Sequence, residues 1–422
     1  MRVKIYPGQP HGFVVAPSSK SMAHRAILAA ALANGESRIT NVAKSQDICA
    51  TLQAVTCMGA SVKERDGEIV VRGIEDVFAS LADKIFCRES GSTLRFLLPV
   101  ATLSGKEVAF TGEGRLLARP QDVYEEMYIS QGHTFYKHED VLKVKGRLQA
   151  GTYKVAGDIS SQFITGLLYA LPLLGGDSTI IVGEPFESRP YVAMTLEVLE
   201  KFGVLATSQG GNILHIKGGQ VFAPANYAIE GDYSQAAFFF VLGAICSPVA
   251  VMGLRENSTQ GDSRIIEYLR ACGARFEKRE EGIQVLGGEL KGRELDLADC
   301  PDLGPILMTL GAFCAGEMRL VNAQRLRMKE SDRITAMERE LEKCGVMMET
   351  TKDTISIFGK KGGYSPKEVL YGHNDHRVVM SLAVFAAGCN CPVVIDGAEA
   401  INKSYPAFFE DVQKLGIEVE TL

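Results

Sequence analysis

Six stretches of the chain, 26–33, 94–103, 163–174, 236–245, 306–315 and 378–387, are apolar on nearly every side of a helical wheel. Helices of that kind are buried all round. Each is followed by a short run rich in Val and Ile, at 37–42, 107–111, 178–182, 249–254, 317–321 and 392–396, which predicts a strand. An amphipathic stretch comes next, at 48–58, 122–130, 192–202, 264–271, 334–344 and 408–415. Most of these close on a glycine suited to a left-handed cap: Gly59, Gly132, Gly203, Gly273, Gly345 and Gly416. Alternating segments with charged turns, such as 61–73 and 348–359, then read as paired strands. The unit recurs about every 70 residues in six copies, so the pattern predicts an α/β protein built on an internal repeat.

The sixth copy stops at Glu418-Val419-Glu420, one strand short, while residues 2–6 read as a strand with no helix of their own. If the two complete each other, the chain forms two lobes of three repeats. One lobe is 1–14 with 231–422 and the other 15–230, and the chain crosses between them near residues 14 and 230. Two adjacent crossings make a hinge.

Composition narrows the function. A 46% hydrophobic content over 422 residues is ample for two cores. The formal charge of −6, with no long basic tract, excludes nucleic acid as a partner. There is no run of about 18 apolar residues to span a membrane, and the opening Met1-Arg2-Val3-Lys4-Ile5-Tyr6-Pro7 reads as a strand rather than a signal peptide. A cytoplasmic monomer is expected. The 10 cysteines are scattered without a Cys-x-x-Cys pair, which argues against a disulfide frame or a structural metal site.

Polar residues gather where the buried helices open. The openings read Pro17-Ser18-Ser19-Lys20-Ser21-Met22-Ala23-His24-Arg25, Glu89-Ser90-Gly91-Ser92-Thr93-Leu94-Arg95, Gly157-Asp158-Ile159-Ser160-Ser161-Gln162, Gly231-Asp232-Tyr233-Ser234-Gln235, Pro301-Asp302-Leu303-Gly304-Pro305 and Asn374-Asp375-His376-Arg377. Ordinary capping explains any one of them. Together they aim several positive helix ends at one space, where Lys20, Arg25, Arg377 and Lys403 add full charge, and that suits a small polyanion. A further cationic run, Arg327-Met328-Lys329-Glu330-Ser331-Asp332-Arg333, opens an amphipathic helix near Ser331, with Ser331 or Asp332 as its cap. By itself this run is better explained by solvated charge pairing. No phosphate-loop or Gly-x-Gly-x-x-Gly motif is present, so nucleotide hydrolysis and dinucleotide binding are not indicated.

Ser19-Lys20-Ser21-x-x-x-Arg25, Arg119-Pro120, Ser160-Ser161-Gln162, Arg327-x-Lys329-Glu330-x-Asp332-Arg333, Asp375-His376-Arg377 and Lys403-Ser404-Tyr405-Pro406 occur in that order across the six repeats. Together they resemble the 5-enolpyruvylshikimate-3-phosphate synthase family over the whole chain. The resemblance implies the two-lobed enolpyruvyltransferase fold, three βαβαββ units per lobe, with an active site closing between lobes. It also implies transfer of the enolpyruvyl group of phosphoenolpyruvate to the 5-hydroxyl of shikimate 3-phosphate, without metal or organic cofactor. By that resemblance Lys20, Gly91, Arg119, Gln162, Arg333, Arg377 and Lys403 bind phosphoenolpyruvate. Lys20, Ser21, Arg25, Ser160, Ser161, Gln162, Ser188, Asp302 and Lys329 bind shikimate 3-phosphate. Asp302, Glu330 and Lys20 are the catalytic residues by the same resemblance, Asp302 as the family's candidate for the 5-hydroxyl and Glu330 for the methylene carbon, and the sequence leaves open which carboxylate performs which step.

The chain departs from the family at Cys87-Arg88-Glu89-Ser90-Gly91-Ser92, where many members have Asn-Ala-Gly-Thr. An acid in place of Asn implies altered affinity for phosphoenolpyruvate and its mimic glyphosate. His24 and His376 each adjoin an arginine at a helix start, so a structural role is as expected as a chemical one. Two other readings stand beside the main one. The enolpyruvyltransferase that uses UDP-N-acetylglucosamine carries a cysteine in its loop, whereas Gly112 through Pro120 has none. A binding protein without catalysis would be better served by an anion site free of carboxylates, yet Asp302 and Glu330 are both there.

Overall fold

The computed structural model describes residues 1–65, 67–79, 82–360 and 362–422. The six buried helices are Lys20–Leu32, Gly91–Ala101, Ser161–Ala170, Tyr233–Ile245, Gly304–Phe313 and His376–Ala387. Each begins two to six residues before its apolar stretch, at the polar opening itself. The reason is local: Ser19, Ser90, Ser160, Asp232 and Asp375 cap five of these helices by accepting a backbone N–H of the first turn. The residues just past each cap, among them Lys20, Ser21, Arg25, Gly91, Ser161, Gln162 and Arg377, therefore lie inside the helices.

Among the described residues the strands form six four-stranded sheets with one shared plan. The strand after each buried helix pairs in parallel with one neighbour and antiparallel with the other. Glu107–Thr111, for example, is parallel to Lys84–Phe86 and antiparallel to Val141–Lys145, which pairs with Thr134–His138. Ser61–Arg65 and Glu68–Arg72 pair likewise, with residue 66 between them outside the described residues. The outer helices, among them Gln46–Cys57, Arg189–Lys201 and Arg333–Lys343, follow in the same place in each repeat. The six glycines read as helix ends all have positive φ, between 75° and 111°.

In the sixth sheet the missing strand comes from the start of the chain: Arg2–Ile5 lies between Val393–Asp396 and Val419–Thr421, antiparallel to both. Two more strands are exchanged along the chain. Phe13–Val15 pairs with Val249–Met252, and Asn226–Ala228 pairs with Glu36–Thr40.

The chain divides into two compact units, Met1–Pro17 with Glu230–Leu422, and Ser18–Ile229. The divisions fall at 17/18 and 229/230 rather than 14/15 and 230/231. Strand Phe13–Val15 is the cause, because its sheet partners are at 249–252 and Pro17 O then accepts the Asp232 N–H at 2.8 Å. Each unit has its own core: Phe238, Phe239, Leu307 and Met380 in one, Leu28, Leu97, Phe163 and Leu167 in the other. Helices Gly91–Ala101 and Ser161–Ala170 approach closely because Gly166 has no side chain; a Cβ there would lie 2.3 Å from Arg95 O. No helix among the described residues is long and apolar enough to cross a membrane.

Candidate active site

In the unit Ser18–Ile229, helix starts present the polar residues. Ser19 accepts the Met22 N–H at 3.4 Å, which puts Lys20 and Ser21 in the first turn and Arg25 one turn on. Lys20 Nζ donates to Asp47 Oδ2 at 2.7 Å, and both side chains are largely buried. Ser160 caps the helix that starts at Ser161, accepting from the Gln162 N–H at 3.4 Å. Gly91 opens its helix against Arg119: a Cβ at position 91 would lie 2.5 Å from Nη1. Only glycine lets that guanidinium lie on the backbone. Ser188, with φ 56° and fully buried, precedes the Arg189–Lys201 helix.

Arg25 and Arg95 are 2% and 4% exposed. Arg25 donates to Thr195 Oγ1 at 2.9 Å, to Ser21 O at 2.7 Å and to Tyr191 O at 2.9 Å. Arg95 donates to Pro120 O at 2.7 Å and to Gln162 Oε1 at 2.9 Å. Neither meets a carboxylate among the described residues; their acceptors are all neutral. Burial pushes the Arg25 pKa down to about 10. Burial lowers the Arg95 pKa as well, with the positive charge of Arg119 adding to the effect. This unit thus holds buried cationic charge that a bound anion would offset. His24 is not part of that charge. Its Nδ1 is 2.7 Å from Thr51 Oγ1, and burial, with help from Lys20 and Arg25, keeps the ring neutral.

The unit Met1–Pro17 with Glu230–Leu422 is built differently, with carboxylates among the cations. Asp302 lies in the turn Pro301–Leu303. Its Oδ1 accepts from Lys329 Nζ at 3.1 Å and Arg333 Nη1 at 3.0 Å, and its Oδ2 from Arg377 Nη2 at 3.2 Å. Burial works to raise the Asp302 pKa, but Arg377, Lys329 and Arg333 outweigh it and hold the carboxyl well below the usual range. Asp375 caps the next helix and takes both edges of Arg333, at 2.8 and 3.2 Å. The His376 Nδ1–H donates to Glu330 Oε2 at 2.9 Å, and Glu330 Oε1 is 3.9 Å from Arg333 Nη2. His376 is therefore the residue that orients Glu330. Lys403 Nζ donates to Asn374 O at 2.5 Å, beside the same helix start.

Asp332, not Ser331, caps the Arg333–Lys343 helix, accepting from the Thr335 N–H at 3.1 Å. Ser331 instead donates to Asp375 Oδ2 at 3.1 Å. Donor atoms of Glu330, Asp375 and His376 fall within 4.8 Å of one another, the spacing of a metal site. Both oxygens of Asp375 already take Arg333 hydrogen bonds, however, so a guanidinium stands where a metal would.

The sequence-predicted residues therefore gather in two sets. Lys20, Ser21, Arg25, Gly91, Arg119, Ser160, Ser161, Gln162 and Ser188 belong to one unit, and Asp302, Lys329, Glu330, Arg333, Arg377 and Lys403 to the other. Reasoning from sequence left out Asp47, Arg95, Asp262 and Asp375 as site residues. Asp262 is 3% exposed, is hydrogen-bonded to Ser234 and is pushed up to about 7 by burial and by the charge of Asp302. A charged residue inside an otherwise apolar helix was the available signal for Arg95.

The sequence profile of EPSP synthase (3-phosphoshikimate 1-carboxyvinyltransferase) matches residues 7–412. A 3-phosphoshikimate 1-carboxyvinyltransferase of Clostridium perfringens is 42% identical over 421 residues, 98% of each chain. One of Clostridioides difficile is 38% identical, over 99% of this chain and 98% of that one. The solved EPSP synthase of Acinetobacter baumannii superposes over 100% of both chains with a TM-score of 0.79 at 27% identity. The enolpyruvyl transferase NikO of Streptomyces tendae, at 16% identity and a TM-score of 0.78, shares the fold. With six matching repeats, helix starts lined by cations and relatives aligned end to end, this chain belongs to the EPSP synthase family.

Proposed function

We propose that the chain transfers the enolpyruvyl group of phosphoenolpyruvate to the 5-hydroxyl of 3-phosphoshikimate, releasing phosphate. The observation that carries this reading is the array of Lys329, Arg333 and Arg377 around the single carboxylate of Asp302. Phosphoenolpyruvate brings a phosphate and a carboxylate, and planar guanidinium forks suit both. Arg119, Arg333, Arg377, Lys20 and Lys403, with Gly91 and Gln162, are its proposed contacts. Ser160, Ser161 and Ser188 are assigned to the phosphate of 3-phosphoshikimate, and Ser21 and Arg25 to its carboxylate. Lys20, Gln162, Asp302 and Lys329 are its remaining contacts.

The chemistry follows from the charge balance. Without ligand, three cations make Asp302 a weak base. As phosphoenolpyruvate draws Arg333 and Arg377 onto its own anionic groups, the Asp302 carboxylate loses counter-charge, its proton affinity climbs, and it can take the 5-hydroxyl proton. The hydroxyl oxygen bonds to C2 of phosphoenolpyruvate while Glu330, oriented by His376, delivers a proton to C3. The methylene becomes a methyl group in a tetrahedral intermediate. Breaking the C2–O bond then expels phosphate with the bonding electron pair, the proton held by Asp302 passes to the departing phosphate, and the methyl group returns a proton to Glu330 to restore the double bond. Lys20 stabilises charge on the phosphate as it departs. Removal of Asp302 or Glu330 is expected to cost roughly 100- to 10,000-fold in turnover.

The test is phosphate release from phosphoenolpyruvate with either 3-phosphoshikimate or UDP-N-acetylglucosamine as acceptor. Release with the first alone supports the reading; release with the second alone replaces it. Release with neither, despite tight binding of 3-phosphoshikimate, makes the chain a binding protein. The cysteine-free loop from Gly112 to Pro120 favours the first outcome. We expect a cytoplasmic monomer that needs no metal, so dialysis against EDTA leaves the rate unchanged.

A further inference from the structure

We propose that Arg95 is a positioning residue for the reaction, fixing the Gln162 amide and the backbone just after Arg119 from inside the protein. The proposal rests on the reading that Gln162 and Arg119 contact the substrates. Arg95 Nη1 donates to Gln162 Oε1 at 2.9 Å, and Gln162 Nε2 donates to Ser92 Oγ at 3.1 Å. A guanidinium can only donate. The amide oxygen must therefore face Arg95, and a flipped amide would set donor against donor. One of the two ends that Gln162 could turn toward a ligand is thus chosen by a residue that needs no ligand contact of its own.

The same guanidinium reaches the other proposed contact. Nη2 donates to Pro120 O at 2.7 Å, one residue beyond Arg119, and Nη1 lies 3.5 Å from Ser160 Oγ. Its flat face sits over Phe163, with Cζ 4.6 Å from the ring centroid. Tyr124 Oη donates to the carbonyls of Arg95, at 2.7 Å, and Phe163, at 3.1 Å, which locks the two helices that carry them. One planar group therefore ties together the Gly91–Ala101 helix, the turn at Pro120 and the start of the Ser161–Ala170 helix. A lysine ammonium cannot reproduce that two-armed fork. Because Arg95 has only neutral acceptors, its charge also adds to that of Arg119, so an arriving anion relieves repulsion already present.

The experiment is a double-mutant cycle on the full chain, with Arg95→Lys, Gln162→Ala and the pair, read as steady-state constants for phosphoenolpyruvate. Arg95→Lys is expected to raise KM about 10-fold or more. Gln162→Ala is expected to lower kcat/KM at least about 10-fold alone but less than about 3-fold in the Arg95→Lys background, because the fork that holds Gln162 Oε1 and Pro120 O together is already lost there. Equal costs in both backgrounds overturn the proposal. No cost for Gln162→Ala in the unmodified protein overturns the assignment of Gln162 itself, and the proposal with it. Should Arg95→Lys fail to fold, Arg95→Gln takes its place in the cycle, and circular dichroism identifies which variant to use.

Discussion

A single hydrogen atom at position 91 decides where Arg119 lies. In Gly91→Ala the new methyl would start 2.5 Å from Nη1, so the guanidinium must swing away and lose its place. Losing one charge-assisted contact to an anion, about 1.5 kcal/mol or more, predicts a KM for phosphoenolpyruvate raised at least ~10-fold, with kcat much less affected. Lys20→Met goes further, since Lys20 is assigned to both substrates, and near-normal turnover of that variant would remove it from the mechanism. Glu89 tests the departure from the family. Its carboxylate packs on Gly114, where a Cβ would be 2.4 Å from Oε2, in the stretch that leads to Arg119. Glu89→Asn is therefore expected to change both the KM for phosphoenolpyruvate and the inhibition constant of glyphosate. Residues of this kind were legible because they fall in short ordered motifs. Arg95 and Asp47 were not, since each acts through another side chain and nothing in the spacing along the chain reveals a partner 67 or 27 positions away.

The elements were legible wherever burial alone sets the pattern. Strands 107–111 and 178–182 and helix 122–130 fall where alternation and amphipathicity put them. The starts of the buried helices were not, because Arg25, His376 and Arg377 break the apolar pattern while being buried themselves. The Arg333–Lys343 helix hangs on its Asp332 cap, which also meets Arg327 at 3.0 Å. Asp332→Ala should cost about 1 kcal/mol by urea unfolding. Acid behaviour at these helix starts has two opposite parts. Asp302 and Asp375 have native pKa values below the ordinary 3.8, so their stabilisation is complete above that pH and is lost as acid passes down through the native values. Asp262 runs the other way: between pH 3.8 and about 7 the native state keeps a proton that the unfolded chain gives up, so stability falls as pH rises across that window. Asp262→Asn is expected to abolish that decline in melting temperature between pH 4 and 7 and to leave the acid limb below pH 4.

At the scale of the molecule, the residues assigned to one reaction are shared between two units, each with a separate core. The proposed reaction draws on both sets. The sixfold repeat and the borrowed N-terminal strand could be read from the chain, because a missing strand in one copy matched a spare one elsewhere. The strand exchanges at 13–15 and 226–228 could not, since neither segment is long enough to announce its partner. The strand Arg2–Ile5 carries one more consequence, which concerns the order of synthesis. It leaves the ribosome long before residues 393–396 and 419–421, with which it pairs. At about 5–20 residues per second, it waits on the order of 20 to 80 seconds for its neighbours. The unit Ser18–Ile229 draws every strand of its sheets from its own contiguous segment and has no such delay. Nascent chains arrested just beyond residue 260 should already protect that unit from protease, while a tag ahead of Arg2 and the strand Arg2–Ile5 stay open to cleavage until residues 419–421 emerge.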